Sequence, residues 1–177
     1  MAKKIVQKEN NVLRKIATEV PIHEIKTPKI QKILKEMSSA LKSQDDGVAI
    51  AAPQIGYSLK IFVVSGKIFD KDFLKGNGLP KDKKDIPKDL IFINPTISKL
   101  SREKDSVPEG CLSVRWLYGI TLRSKKATVT AYDENGKKFT RGASGLLAQI
   151  FQHETDHLKG VLFIDHAKDI KEEKPNK

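Results

Sequence analysis

The chain has 177 residues but only one cysteine, Cys111, and one tryptophan, Trp116. A single thiol excludes an intrachain disulfide, so the fold must rest on a buried apolar core. No apolar run approaches the roughly 20 residues that span a bilayer. The opening Met1-Ala2-Lys3-Lys4-Ile5-Val6 has neither the apolar stretch of a signal peptide nor the arginine-rich character of a transit peptide. A cytoplasmic protein with no membrane partner is therefore expected. Negative charge is also short: 22 Asp and Glu against 33 Lys and Arg leave a net charge of +11. The lysines are scattered and no nucleic-acid recognition motif accompanies them, so the excess reads as a solvated surface without sequence-specific nucleic-acid binding. Weak attraction to a ribosome surface is the second reading.

What is present suits one globular domain: 38% hydrophobic and 31% charged residues, with no internal repeat. The spacing of Ile30, Ile33, Leu34, Met37 and Leu41 predicts a helix over Thr27–Asp46, with Thr27 as its cap, Pro28 in its first turn and Gly47 just past its end. Residues 47–56 read as a loop of small residues. Residues 61–65 read as a buried strand, and 90–94 as another, stopped by Pro95. Residues 66–89 read as a polar surface insertion. Strands are expected over 120–126 and 128–132, and Asn135-Gly136 marks a hairpin. A helix capped by Ser144 follows to about Leu158, and Gly160 ends it. The expected fold is α+β, with small antiparallel or mixed sheets packed around that central helix. One domain would span 1–165. Residues 166–177 would be a charged tail with helical potential.

The central helix carries His153-Glu154-Thr155-Asp156-His157. Positions i and i+4 share a helix face, so both imidazoles can bind one divalent cation, and Glu154 can handle protons for a water on that cation. Two histidines are an incomplete site, since catalytic centres of this kind use three protein ligands. His23, His166 and many carboxylates are available. Cys111 stands out because E-G-C-L-S is tight and polar, unlike a core segment, and a thiolate is a strong ligand for zinc or ferrous iron. The spacing of Asp156 turns it away from the cation, toward a structural partner.

Three segments together resemble the peptide deformylase family: Gly47-Val48-Ala49-Ile50-Ala51-Ala52-Pro53-Gln54, Glu109-Gly110-Cys111-Leu112-Ser113 and Gln152-His153-Glu154-Thr155-Asp156-His157-Leu158. They stand in the family's order. The resemblance implies removal of the formyl group from N-formylmethionyl nascent peptides, with release of formate. It implies one divalent cation held by Cys111, His153 and His157, usually Fe²⁺ natively, with Zn²⁺ or Ni²⁺ able to substitute. It makes Glu154 the proton-transfer group, with the Gln54 amide and the Leu112 backbone N–H as donors to the oxyanion. Arg123 becomes the partner of Asp156. The methionine pocket falls to Val48, Val107, Gly110, Leu146, Gln149 and Ile150, and the peptide backbone lies along 47–50, including Ala49 and Ile50, and along Glu109–Gly110.

The chain departs from the family pattern in places. Ala49 and Ile50 stand where glycine and leucine are usual. A Cβ at position 49 would weaken substrate binding if that backbone needed positive φ. Gln149 is polar where an aliphatic residue is usual, the 66–89 insertion is long, and Arg115 and Trp116 are unusual after the cysteine motif. Two other classes remain as alternatives: a zinc endopeptidase on the same helix, and a basic ribosome-binding module that has lost its activity.

Overall fold

The computed structural model describes residues 2–75 and 86–175. The chain forms β1 (Ala49–Ala51), β2 (Ile61–Val64), β3 (Leu90–Leu100), β4 (Lys104–Gly110), β5 (Leu117–Ser124), β6 (Lys126–Tyr132), β7 (Lys138–Ser144) and β8 (Lys168–Glu172). The helices are α1 (Pro28–Lys42), the single turn α2 (Lys71–Leu74) and α3 (Gly145–Leu158). Two antiparallel sheets result, one of five strands in the order β1-β2-β3-β6-β7 and one of three in the order β4-β5-β8. This is the α+β architecture expected.

The five-stranded sheet lies between the two long helices. In β2 the side-chain period of two sends Ile61 and Val63 to the α1 side and Phe62 and Val64 to the α3 side. Both sides are covered, which is why I-F-V-V is apolar at every position. On the α1 side, Ile30, Ile33, Leu34, Met37 and Leu41 pack against Ile50, Ile55 and Ile93. On the α3 side, Phe62 stacks on Phe92 at 4.5 Å between ring centroids, and Phe151 of α3 meets Phe92 edge-on at 5.2 Å.

Several local expectations are corrected. Helix α1 ends at Lys42 with Ser43 as its C-cap, short of Asp46; Gly47 instead packs under Leu41, Gln44 and Leu112. The small-residue loop contains edge strand β1 and a 3₁₀ turn, Ala52–Ile55. Strand β3 is not stopped by Pro95 but runs on to Leu100. A register shift between Ile93 and Thr96 absorbs the proline, and Asn94 takes φ 50° beside it. The Asn94 amide both accepts from the Val20 N–H at 2.8 Å and donates to the Val20 carbonyl at 2.7 Å, holding that conformation. Ser144 ends β7 and makes no side-chain cap bond to α3. The tail is not helical over 168–172: it is β8, exposed along its length and paired antiparallel with β5. The start of the insertion is not all surface, since Gly66, Lys67 and Ile68 are buried. Residues 76–85 of that insertion lie outside the described residues.

Candidate active site

Helix α3 crosses from one sheet to the other. Its Gln152 amide bonds the Ser124 N–H and carbonyl, both at 2.9 Å, and so fixes the helix against the end of β5. The C-terminus closes with the Gly160 N–H donating to the His157 carbonyl at 3.1 Å and the Val161 N–H to the Asp156 carbonyl at 2.9 Å. Gly160 has φ 74° there, and an added Cβ would meet the Arg14 carbonyl at 2.6 Å. The helix is thus pinned at its middle and its C-terminal end, with His153 and His157 one turn apart on the face that meets Cys111.

The donor atoms of Cys111, His153 and His157 all lie within 4.8 Å of one another. Cys111 Sγ is 3.2 Å from His157 Nε2. His153 Nδ1 is 2.6 Å from Glu109 Oε1. A carboxylate held ionised can only accept, so the proton sits on Nδ1 and Nε2 is left as the ligand atom. Burial opposes the charge of Glu109, but His153 and Arg123 outweigh it and hold the carboxyl well below the usual range. Burial likewise opposes charge on His153, while Cys111 and Glu109 outweigh it and raise its pKa; burial, then His153, lowers that of His157. One soft thiolate, two imidazoles and a carboxylate orienting one of the rings fit a single divalent metal ion.

Glu154 follows His153 and is buried. Its Oε2 has no hydrogen-bond partner among the described residues, nor has His157 Nδ1. Burial pushes the Glu154 carboxyl up to about 7, so it can both take and return a proton near neutral pH. Gln54 is buried beside the thiol. Its Oε1 accepts from the Ala51 N–H at 2.8 Å, so its Nε2 faces Ser113 Oγ at 3.1 Å and Cys111 Sγ at 3.5 Å. The carbonyl of Leu112 accepts from Gln7 Nε2 at 3.0 Å, which anchors the backbone directly after the thiol.

A cleft of about 470 Å³ opens over these groups. Val48, Ala49, Glu109, Gly110, Leu112, Leu146, Gln149 and Ile150 line it, with Gln54, Cys111, His153 and Glu154 at its floor. One expected pocket residue, Val107, falls elsewhere, and the side chain of Ile50, expected as a backbone contact, does not face the cleft. Ile50 is fully buried under α1, because the alternation of β1 points it away from the cleft. Val107 lines a neighbouring depression with Arg123 and Lys125. Ala49 is ordinary strand backbone, so its Cβ carries no conformational strain. Gly110 has a steric reason: a Cβ would come within 2.7 Å of the Tyr118 ring. Gln149 is polar because its amide donates to the Pro108 carbonyl of β4 at 2.8 Å.

Glu109, expected along the peptide backbone, also has a side-chain role that the sequence does not show: it is the hub of a buried charge cluster. It accepts from Arg123 Nη2 at 2.5 Å, Arg123 Nε at 3.0 Å and Thr121 Oγ1 at 2.6 Å, besides its contact with His153. Arg123 reaches on to Asp156 Oδ2 at 2.7 Å. Thr121 and Arg123 share a face of β5, and the sequence carried that signal as a Thr-x-Arg alternation whose partner strand was not recognised. His166 contacts Asp156 at 3.5 Å, and neither it nor His23 belongs to the donor cluster.

A Cys/His/His donor set with a buried carboxylate beside it, on a helix between two antiparallel sheets, defines a metal-dependent hydrolase. Residues 2–173 match the family described as Polypeptide deformylase. The chain is 39% identical over 167 residues to the peptide deformylase of Carboxydothermus hydrogenoformans, covering 94% of each. Among solved structures it is similar to a peptide deformylase from Legionella pneumophila, with a TM-score of 0.77 and 32% identity over 96% of this chain and 88% of that one. It is also similar to the Met-Ala-Ser-bound class I type b peptide deformylase from Acinetobacter baumannii, with a TM-score of 0.78 and 26% identity over 94% and 98%. The chain belongs to the polypeptide deformylase family: it is a hydrolase that removes the N-terminal formyl group from nascent peptides.

Proposed function

We propose that Cys111, His153 and His157 hold the single metal ion, that Fe²⁺ is the native ion with Zn²⁺ or Ni²⁺ able to substitute, and that Glu154 carries the proton. The observation behind this reading is the buried, unpartnered Glu154 carboxylate beside a thiolate–imidazole donor set. When bound, the cation supplies Lewis acidity and makes a water nucleophilic near neutral pH. Glu154 takes the proton of the attacking water and returns it to the amine as the formyl C–N bond breaks, leaving formate and a free N-terminus. The Gln54 amide and the Leu112 backbone N–H donate to the oxygen that gains negative charge at the formyl carbon. The methionine side chain enters between Val48, Leu146, Gln149 and Ile150. The peptide backbone runs between β1 and β4, each the edge strand of its sheet. Arg123 positions Asp156 and Glu109, and through Glu109 it positions His153.

The test is turnover of formyl-Met-Ala-Ser by anaerobically purified, iron-loaded protein. Robust hydrolysis is expected, and Glu154→Gln should lower it by roughly 10²–10⁴-fold with metal content unchanged. Cleavage of internal peptide bonds instead would sink the assignment. Metal analysis of protein made without oxygen tests Fe²⁺.

We also propose one catalytic domain that includes β8, in a cytoplasmic protein. Among the described residues no helix is long and apolar enough to cross a membrane. The lysine-rich surface, including the exposed Lys29, Lys32, Lys35 and Lys42 of α1, favours weak, salt-sensitive ribosome contact. Co-sedimentation unaffected by salt would contradict that contact.

A further inference from the structure

Arg115, unusual in the sequence, lies across the mouth of the cleft from Asp46. Its guanidinium is bidentate to that carboxylate, with Nη1 2.5 Å from Oδ2 and Nη2 2.9 Å from Oδ1. Nη2 also donates to Gln44 Oε1 at 3.2 Å. The two residues belong to different walls. Asp46 precedes β1 of the five-stranded sheet, and Arg115 follows Cys111 on the way into β5 of the other. Both walls are braced from behind. The Arg115 N–H donates to Gln7 Oε1 at 3.2 Å, and the buried Lys67 ammonium donates to the Asp45 carbonyl at 3.0 Å. The insertion that begins at Gly66 is thereby plugged into the Asp46 wall.

Charge makes the pair more than a brace. Of the side chains lining the cleft, the carboxylates and guanidinium are those of Asp46, Glu109, Arg115 and Glu154. Glu109 is consumed by Arg123 and His153, and Glu154 lies at the floor. The charges that a peptide meets beyond its first residue are therefore Asp46 and Arg115, and these neutralise each other.

We propose that Arg115 and Asp46 form a self-neutralising strut across the cleft mouth, which holds the two walls at fixed spacing and makes the enzyme indifferent to the charge of the residues after formyl-methionine. Such indifference suits a catalyst that must accept many different N-termini. The proposal rests on the cleft being the peptide site. The Asp46 carboxyl sits below its usual range, first because of its bonds from Arg115, so the pair persists at neutral pH.

The experiment compares formyl-Met-Lys-Ser with formyl-Met-Glu-Ser on wild-type enzyme, Asp46→Asn and Arg115→Met. Wild type should treat the two peptides alike in kcat/KM. Asp46→Asn, which bares the guanidinium, should favour the glutamate peptide roughly fivefold, and Arg115→Met should favour the lysine peptide by a similar factor, mainly in KM. The double charge swap Asp46→Arg with Arg115→Asp should restore indifference. A merely structural pair would lower both peptides equally in both variants, and that result overturns the proposal. So does an unchanged preference in both variants. Wild type failing on both peptides would instead refute the deformylase reading.

Discussion

The two sheets solve opposite problems. The five-stranded sheet is covered on both faces by apolar side chains where β1, β2 and the start of β3 run, and its Phe62–Phe92–Phe151 cluster needs no specific partner, only matching shape. The three-stranded sheet instead buries charge. Glu109 on β4, Thr121 and Arg123 on β5, and Asp156 and His153 on α3 satisfy one another in one network. Apolar packing tolerates exchange of one hydrophobe for another. A buried charge cluster does not, since losing one member strands the rest. The catalytic side of the protein is therefore specified by pairing, and the scaffold side by volume.

The sharpest way to break this contrast is Arg123→Met against Phe92→Ala. Arg123→Met leaves Glu109 and Asp156 without their cation and should cost about 3–5 kcal/mol in denaturant unfolding, with weaker metal retention. Phe92→Ala should cost a similar amount, about 3–5 kcal/mol, by leaving a cavity, yet the folded fraction should bind metal as wild type does. If both variants lose metal affinity alike, the division of labour between the sheets fails. Next in size is Glu109→Gln, which removes the acceptor charge orienting His153. Metal affinity should fall roughly 10–100-fold by competition with a chelator, with a smaller effect on folding. Unchanged affinity would reduce Glu109 to a structural residue.

The smallest effect lies outside both sheets. Asp165 takes two bonds from Arg14, at 2.6 and 3.0 Å, tying the N-terminal segment to the turn before β8. Those bonds hold its carboxyl below the usual value. A depressed folded-state pKa adds stability that is present above the unfolded value, about 3.9, and is lost as pH falls through the folded one. The pair is partly exposed, so Asp165→Asn should lower stability by less than about 1 kcal/mol at pH 7, and the gap to wild type should close below about pH 4. A gap that widens on acidification would contradict the linkage.

Legibility followed the range of the interaction. Helix α1 and its Thr27 cap, the fully apolar β2 and the Gly160 stop are set by neighbours within a turn or two, and could be read directly. The run of strand β3 through Pro95 is not legible locally, because the rescue comes from Asn94 clamping Val20, 74 residues away. Strands β1, β4 and β8 are edges with weak patterns of their own, and pairing partners define them.

The sequence alone determined that His153 and His157 share a helix face with Glu154 between them, since helical periodicity is local. The lone Cys111 stood out as a candidate ligand, and the resemblance made it the third one and added Gln54. Only the tertiary structure decided that Glu109 points inward to orient His153 while Ile50 and Val107 turn away from the cleft, because side-chain direction in a strand depends on register with a partner. Only the tertiary structure brought Arg115 against Asp46, because ion pairs between separate walls exist only after the two sheets have closed around α3.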